Sequence, residues 1–288
     1  MFERVAPSAG GRLLESIWFR LPTVSEKARR LRVELPEATA LELPFENGTI
    51  RGKSWGDGPT VYLVHGWGGW GLQFASFVSP LLEAGFRVVT FDAPSHGESE
   101  PGREGPKRAT IPEMADAFRA MVAAYGPAYG VVAHSIGATA VTLALRDGFS
   151  ARRVVFIATA TDFRDGLAQY EAHFGFGPKT REQFLRRFTR RFGPLDNFAV
   201  APMVDSLAEE RELPALLVFH DRSDRETSAE GSAKVVDVWP GARLHLTDDL
   251  GHNRILRDPA VVTAATAFLS TERAVGELGG VVQETMQG

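Results

Sequence analysis

The spacing of apolar positions changes along this chain. Leu13, Leu14, Ile17, Trp18 and Leu21 recur at helical intervals and predict an amphipathic helix over about 12–21, stopped by Pro22. Residues 39–44 and 49–55 read as two strands joined by the turn signal Glu46-Asn47-Gly48. From Val61 the pattern becomes strands alternating with helices. Strands are predicted over 61–64, 86–91, 131–134 and 154–157. Between them, Phe74, Phe77, Val78, Leu81 and Leu82 mark one helix face, ended by Gly85, and Met114, Phe118, Met121, Val122 and Tyr125 mark another. A third helix is predicted over 138–146. Such alternation implies an α/β fold: a mostly parallel central sheet with helices on both faces, entered through an antiparallel pair.

The alternation stops over 161–213. Helical patterns replace it, notably Phe184, Leu185, Phe188 and Phe192 beside Arg181, Arg186, Arg187, Arg190 and Arg191. The expected organisation is a core of 1–160 and 214–288, with a helical lid of 161–213 inserted over the carboxyl edge of the sheet. The arginines read as a solvated face, with attraction of an anionic substrate or carrier as the alternative. Strands over 215–219 and 243–246 and a helix over 229–238 follow. Val261, Val262, Ala265, Phe268 and Leu269 mark a last helix, and the tail from Gly276, with Gly279-Gly280, is expected to fray.

Composition narrows the function classes. A chain of 288 residues with 44% hydrophobic and 24% charged content can bury one large core. The absence of cysteine removes disulfides and thiolate metal sites, and no H-E-x-x-H or comparable ligand cluster occurs. No metal or cofactor is therefore expected. A net charge of -4 gives no reason to expect a nucleic-acid partner. The N-terminus lacks the apolar core of a signal peptide, and no run approaches the ~20 apolar residues that span a bilayer, so a cytoplasmic protein is expected.

The chemistry-bearing residues fall at the ends of predicted strands, where open α/β sheets place their ligands. Val131-Val132-Ala133-His134-Ser135-Ile136-Gly137-Ala138 reads as a strand, a sharp turn and a helix with Ser135 at the apex. This is the G-x-S-x-G elbow with alanine first; small flanking residues let strand and helix approach. His65-Gly66-Trp67-Gly68-Gly69 follows the first parallel strand, and Asp92-Ala93-Pro94-Ser95-His96-Gly97-Glu98-Ser99 follows the next. His220-Asp221-Arg222-Ser223-Asp224 and Gly251-His252-Asn253 end two later strands.

With these motifs, from about Thr39 to Leu269, the sequence resembles the α/β-hydrolase superfamily, and within it lid-bearing bacterial serine hydrolases with H-G-W-G-G and D-A-P-x-H-G-x-S motifs. The resemblance implies the α/β-hydrolase fold, Ser135 as nucleophile, His252 as general base, Asp224 as the acid that orients it, and backbone N–H groups of Trp67 and Ile136 as an oxyanion hole. It implies a small-molecule acyl substrate, such as a carboxylic ester. Asp221, Asp248, Asp249, Asp162 and Asp165 compete for the acid, and His220 and His245 for the base. His96 is expected to order its turn and His134 to pack beneath the elbow. Trp67, Trp70, Phe174 and Phe176 suggest an apolar acyl pocket.

Other readings keep the fold: a thioesterase, an acyltransferase, a carbon–carbon bond hydrolase, or a non-catalytic binding protein. A further rival is a dinucleotide-binding oxidoreductase. Gly66-Trp67-Gly68-Gly69-Trp70-Gly71 matches G-x-G-x-x-G between a strand and a helix, with Asp92 at the end of the next strand.

Overall fold

The computed structural model describes residues 6–25, 29, 30 and 33–281, with side chains except those of 165 and 272–281. The chain begins with helix α1 (Pro7–Trp18), followed by strands β1 (Thr39–Phe45), β2 (Gly48–Trp55) and β3 (Thr60–Val64) and helix α2 (Ala75–Glu83). Next come β4 (Arg87–Phe91), α3 (Ile111–Tyr125), β5 (Ala128–His134), α4 (Ile136–Arg146) and β6 (Arg153–Ile157). Three helices then succeed one another, α5 (Phe163–Phe174), α6 (Pro178–Phe192) and α7 (Val200–Glu210). After them come β7 (Ala215–Asp221), α8 (Ala229–Val238), β8 (Arg243–Thr247), the short α9 (Gly251–Arg254) and α10 (Pro259–Val281).

The strands form one eight-stranded sheet in the order β1-β2-β4-β3-β5-β6-β7-β8. Among the described strands of the sheet, only the β1–β2 and β2–β4 pairings are antiparallel. Every residue of β3 and β6 is buried, as helices on both faces require. One apolar cluster lies on each side of the sheet. One holds Tyr62, Phe91, Phe118, Val131 and Phe156, and the other Leu63, Phe77, Val88, Val132 and Leu269. Because the parallel strands share a direction, the segments after β3, β5, β7 and β8 emerge along one edge. That edge gathers the motifs at 65–69, 135–137, 220–224 and 251–253.

The first helix begins earlier than the apolar spacing predicts and ends earlier too. Pro7 occupies its first turn, where a missing N–H costs nothing. Past Trp18 the backbone leaves the helix because it finds other partners: the Leu21 N–H donates to Lys107 O, and Arg20 bridges to Arg108. At the other end, α10 continues past Gly279 and Gly280, where fraying was expected; residues 282–288 of that tail lie outside the described residues.

Helix α6 lies against α1, whereas α7 contacts α4 and α8. The arginines of α6 form the expected solvated face, with Arg181, Arg186, Arg190 and Arg191 exposed, and four of the five also pair with carboxylates. Arg187 pairs with Glu15 of α1, Arg191 with Glu104, Arg181 with the buried Glu171, and Arg186 with Glu182 one turn away. Two of these ties join α6 to segments far away in sequence.

Helix α3 starts with a capping arrangement that bears on the site, since Thr110, Ile111 and Pro112 face the cavity described below. Thr110 Oγ1 accepts the Glu113 N–H at 3.3 Å, and the buried Glu113 carboxylate accepts the Arg103 N–H at 2.6 Å. Burial pushes the Glu113 carboxyl above its usual range, opposed by the Arg103 N–H and guanidinium. A carboxyl whose pKa rises on folding has an ionised form that opposes folding, by an amount that grows as pH rises from the unfolded value through the folded one. Glu113→Gln keeps an oxygen for Arg103 and removes the charge. It is expected to raise Tm at pH 8 by about 2–4 °C, a gain that vanishes by about pH 4; thermal unfolding at the two pH values measures this.

Candidate active site

Ser135 stands between β5 and α4 with φ 53 and ψ -124, a conformation that costs a non-glycine residue about 1–3 kcal/mol. Its own N–H donates to Ile157 O at 2.9 Å, which ties the apex of the turn to the neighbouring strand. The small residues around it are required by close approach. A Cβ on Gly137 would lie 2.5 Å from His65 O and 2.6 Å from Val64 O, and a Cβ on Gly66 would lie 2.9 Å from Ser135 Cβ. Glycine at 66 thus lets the 65–69 loop rest directly on the serine turn. Gly137→Ala is expected to destabilise the fold by about 1–3 kcal/mol, read as a lower denaturant midpoint with unchanged slope.

The Asp224 and His252 side chains meet, with Asp224 Oδ2 2.8 Å from His252 Nδ1. The Asp224 side chain is inaccessible to solvent and well supplied with donors. Its Oδ1 accepts the N–H groups of Glu226 at 2.8 Å and Thr227 at 3.1 Å. Its Oδ2 accepts the Thr227 hydroxyl at 3.1 Å, besides the ring of His252, and lies 3.4 Å from His220 Nε2. Burial alone would raise its pKa. The ring hydrogen bonds from His220 and His252 and the Thr227 N–H outweigh that, holding the carboxylate well below the usual range. It therefore stays charged and oriented at neutral pH.

His220, a rival for the base, instead buttresses the acid. Its Nε2 faces Thr227 O at 3.1 Å, and a carbonyl can only accept, so Nε2 carries the hydrogen. Nδ1 then accepts the Ser232 hydroxyl at 2.7 Å. Asp221, Asp248 and Asp162 are engaged elsewhere, and Asp249 sits in a bend with φ 61. Asp221 accepts the N–H groups of Ser223 and Leu250 and the Thr247 hydroxyl, holding the end of β7 to the segment before His252. Asp248 pairs with Arg222, and Asp162 caps α5 through the Arg164 N–H. The Asp165 side chain lies outside the described residues. His245 stacks obliquely on Phe219 from within β8.

Three buried histidines shape the surrounding backbone. His134 donates from Nε2 to His252 O at 2.9 Å; burial and the neighbouring His252 push its pKa down to about 3, so it is neutral. His96, also pushed to about 3 by burial and by His65, donates to Pro94 O at 3.0 Å. His65 donates to Gly66 O at 2.7 Å and accepts the Ala93 N–H at 2.9 Å, joining the two loops that follow β3 and β4.

Ser135, Ile136, Trp67, Asp224 and His252 all line one cavity of about 790 Å³. A second cavity of about 530 Å³ shares Trp67, Ser135, Glu226 and His252 with it and continues past Trp70 and Gln73. The Ser135 hydroxyl has no hydrogen-bond partner among the described residues. The exposed Glu226 carboxylate lies 3.8 Å from His252 Nε2. The aromatic wall of the larger cavity differs from the one the sequence suggests. Trp67 is part of it, but Trp70 belongs to the second cavity, and the exposed Phe174 lines a separate depression near Ile17 and Leu21. Trp18, Phe19, Phe163, Tyr170, Phe188, Phe192 and Phe198 supply the rest.

The glycine-rich hexapeptide does not form a dinucleotide cradle. Asp92, which such a cradle needs for a ribose hydroxyl, accepts the Gly71 N–H at 2.6 Å and the Glu98 N–H at 2.7 Å. Pro22 fills the space beside Gly68, where an added Cβ would lie 2.4 Å from its ring. Among the described residues no group of His, Cys, Asp and Glu could hold a metal ion. No described helix is long and apolar enough to cross a membrane.

This strand order and these strand-end loops define an α/β-hydrolase fold, and comparison with known proteins agrees. The Alpha/beta hydrolase family model matches residues 61–265, and the chain belongs to that family. A serine hydrolase-like protein of Danio rerio is 32% identical over 102 residues, 35% of this chain and 31% of that protein, so the match spans about a third of the relative's length. Among solved structures, a putative lipase from Acinetobacter baumannii AYE superposes with a TM-score of 0.63 at 16% identity, covering 82% of this chain and 92% of that one. A bacterial membrane phospholipase A superposes with a TM-score of 0.62 at 16% identity and 94% coverage of both chains. At such identities the structural likeness speaks for the fold alone.

Proposed function

We propose that this protein is a serine hydrolase that cleaves a carboxylic ester or a related acyl bond through Ser135, His252 and Asp224. The observation that carries the reading is the 2.8 Å Asp224–His252 contact opening on the cavity that holds the strained Ser135. In the reaction Ser135 Oγ attacks the substrate carbonyl carbon while its proton passes to His252 Nε2. Asp224 fixes the tautomer with hydrogen on Nδ1 and stabilises the imidazolium. The N–H groups of Trp67 and Ile136 receive the oxyanion, each such donor contributing on the order of 3 kcal/mol in the transition state. Collapse expels the leaving group with the proton from His252, and water then releases the acid from the acyl-serine by the same steps.

Serine–imidazole hydrogen bonds are commonly long before substrate binds, in keeping with the unpartnered Ser135 hydroxyl. The two cavities meeting at Ser135 suit an acyl group on one side and a leaving group on the other. Helices α5 and α6 act as the lid over the acyl side. Turnover of p-nitrophenyl esters and acyl thioesters by the purified protein tests the reading. Hydrolysis lost in His252→Ala supports it, and hydrolysis unchanged in that variant contradicts it.

A further inference from the structure

We propose that the N-terminal helix is part of the substrate site, and that Trp18 sets the length of the apolar acyl group the protein accepts. The inference rests on the reading of Ser135 as the nucleophile and adds a substrate class to it: esters or thioesters of extended apolar acids. The family match begins at residue 61, yet Trp18 and Phe19 line the same cavity as Ser135. At about 790 Å³ that cavity lies within the range of drug-sized ligand sites, roughly 300–1,000 Å³, far larger than an acetyl group needs.

Trp18 is half-buried at the junction of α1 with the inserted helices. Its ring meets Phe163 at 6.3 Å, Tyr170 at 5.3 Å and Phe184 at 5.6 Å between centroids. Gly166 lies against the indole, where a Cβ would make ordinary van der Waals contact at 3.5 Å. The helix carrying Trp18 is fixed from several sides. Gly11 permits contact with α6 so close that a Cβ would lie 2.7 Å from that of Gln183. Glu15 pairs with Arg187, Arg108 donates to Ser16 O at 2.7 Å, and Phe19 packs on Phe188 and Phe192. An indole held in this way is a fixed stop. Apolar chains gain affinity with length until they reach it.

The test is displacement of 1-anilinonaphthalene-8-sulfonate by straight-chain acids from hexanoic to tetradecanoic, with wild type, Trp18→Ala and Trp18→Phe. In wild type, affinity is expected to rise with chain length to a break. Trp18→Ala moves the break outward by two methylenes, tightening the first excluded acids about fifteenfold at ~0.8 kcal/mol per buried methylene. Trp18→Phe, which keeps an aromatic wall, gives a smaller shift. The same break in all three folded proteins, or failure of the wild type to bind the dye or the acids, overturns the proposal. Ester turnover and its loss in Ser135→Ala are scored separately. A shifted break without turnover sinks the catalytic reading and keeps the pocket assignment, whereas turnover with an unshifted break does the reverse.

Discussion

Ser135→Ala is expected to lower kcat for ester hydrolysis by on the order of 10⁶-fold with little change in stability. The size follows from the role: without Oγ no acyl-enzyme forms, and only binding and oxyanion stabilisation remain. Stability is spared because the hydroxyl has no hydrogen-bond partner among the described residues, and alanine accepts the φ of 53 as serine does. Stopped-flow turnover with a p-nitrophenyl ester, beside thermal unfolding of the same sample, measures both halves. A variant that unfolds would locate the residue's importance in the turn rather than in the chemistry. A folded variant that keeps its turnover would remove Ser135 from the mechanism.

Asp224→Asn is expected to reduce kcat by about 10⁴-fold while leaving KM within a few-fold of wild type. Asp224 Oδ2 faces His252 Nδ1, and an amide nitrogen in that place would stabilise the tautomer with the hydrogen on the wrong atom. The substitution also disturbs folding. The Thr227 hydroxyl can turn to donate to Ala158 O, but the His220 Nε2–H stays a donor, so an inserted N–H₂ confronts it at a cost of about 1–3 kcal/mol. Steady-state kinetics with urea unfolding separates the two effects. Equal losses in Asp224→Asn and Asp221→Asn would show that the loop, and not the identity of the acid, matters. Asp221 is expected to affect stability chiefly, because its oxygens hold Ser223, Thr247 and Leu250.

The sheet was legible because its information is local. The apolar runs 61–64 of β3 and 154–157 of β6 and the amphipathic helices between strands bear their period in the residues themselves. The elbow was legible for a related reason: Ala133, Ser135 and Gly137 are small where backbones touch, as the 2.5 Å approach to His65 O requires. The pairing of Asp224 with His252 was readable as one choice among several carboxylates, but spacing could not decide between Asp221 and Asp224. What separates them is the direction of the chain after β7, where Asp221 turns back to β8 while Asp224 turns toward the cavity.

The cavity wall was the least legible part. Trp18 and Phe19 belong to a helix whose apolar stripe announces burial without naming its partner, and the partner lies in α5 and α6, far along the chain. Phe174 and Phe176 offered the same signal as Phe163 and Phe188, yet Phe174 ends α5 on its exposed side, just before the chain turns at Gly175. The solvated arginine face of α6 was readable, but the pairing of Arg187 and Arg191 with Glu15 and Glu104 was not, because those carboxylates are distant in sequence. His220 was readable as a competitor of His252; its service to Asp224 depends on Thr227 O and Ser232, which only the fold brings to it.

The most direct test of the account is to expose the wild-type protein to a fluorophosphonate and locate the adduct by peptide mass spectrometry. The account predicts one equivalent of label on Ser135, with labelling slowed by orders of magnitude in His252→Ala. Ester turnover that persists while Ser135 stays unlabelled, or label carried by another residue, would contradict it.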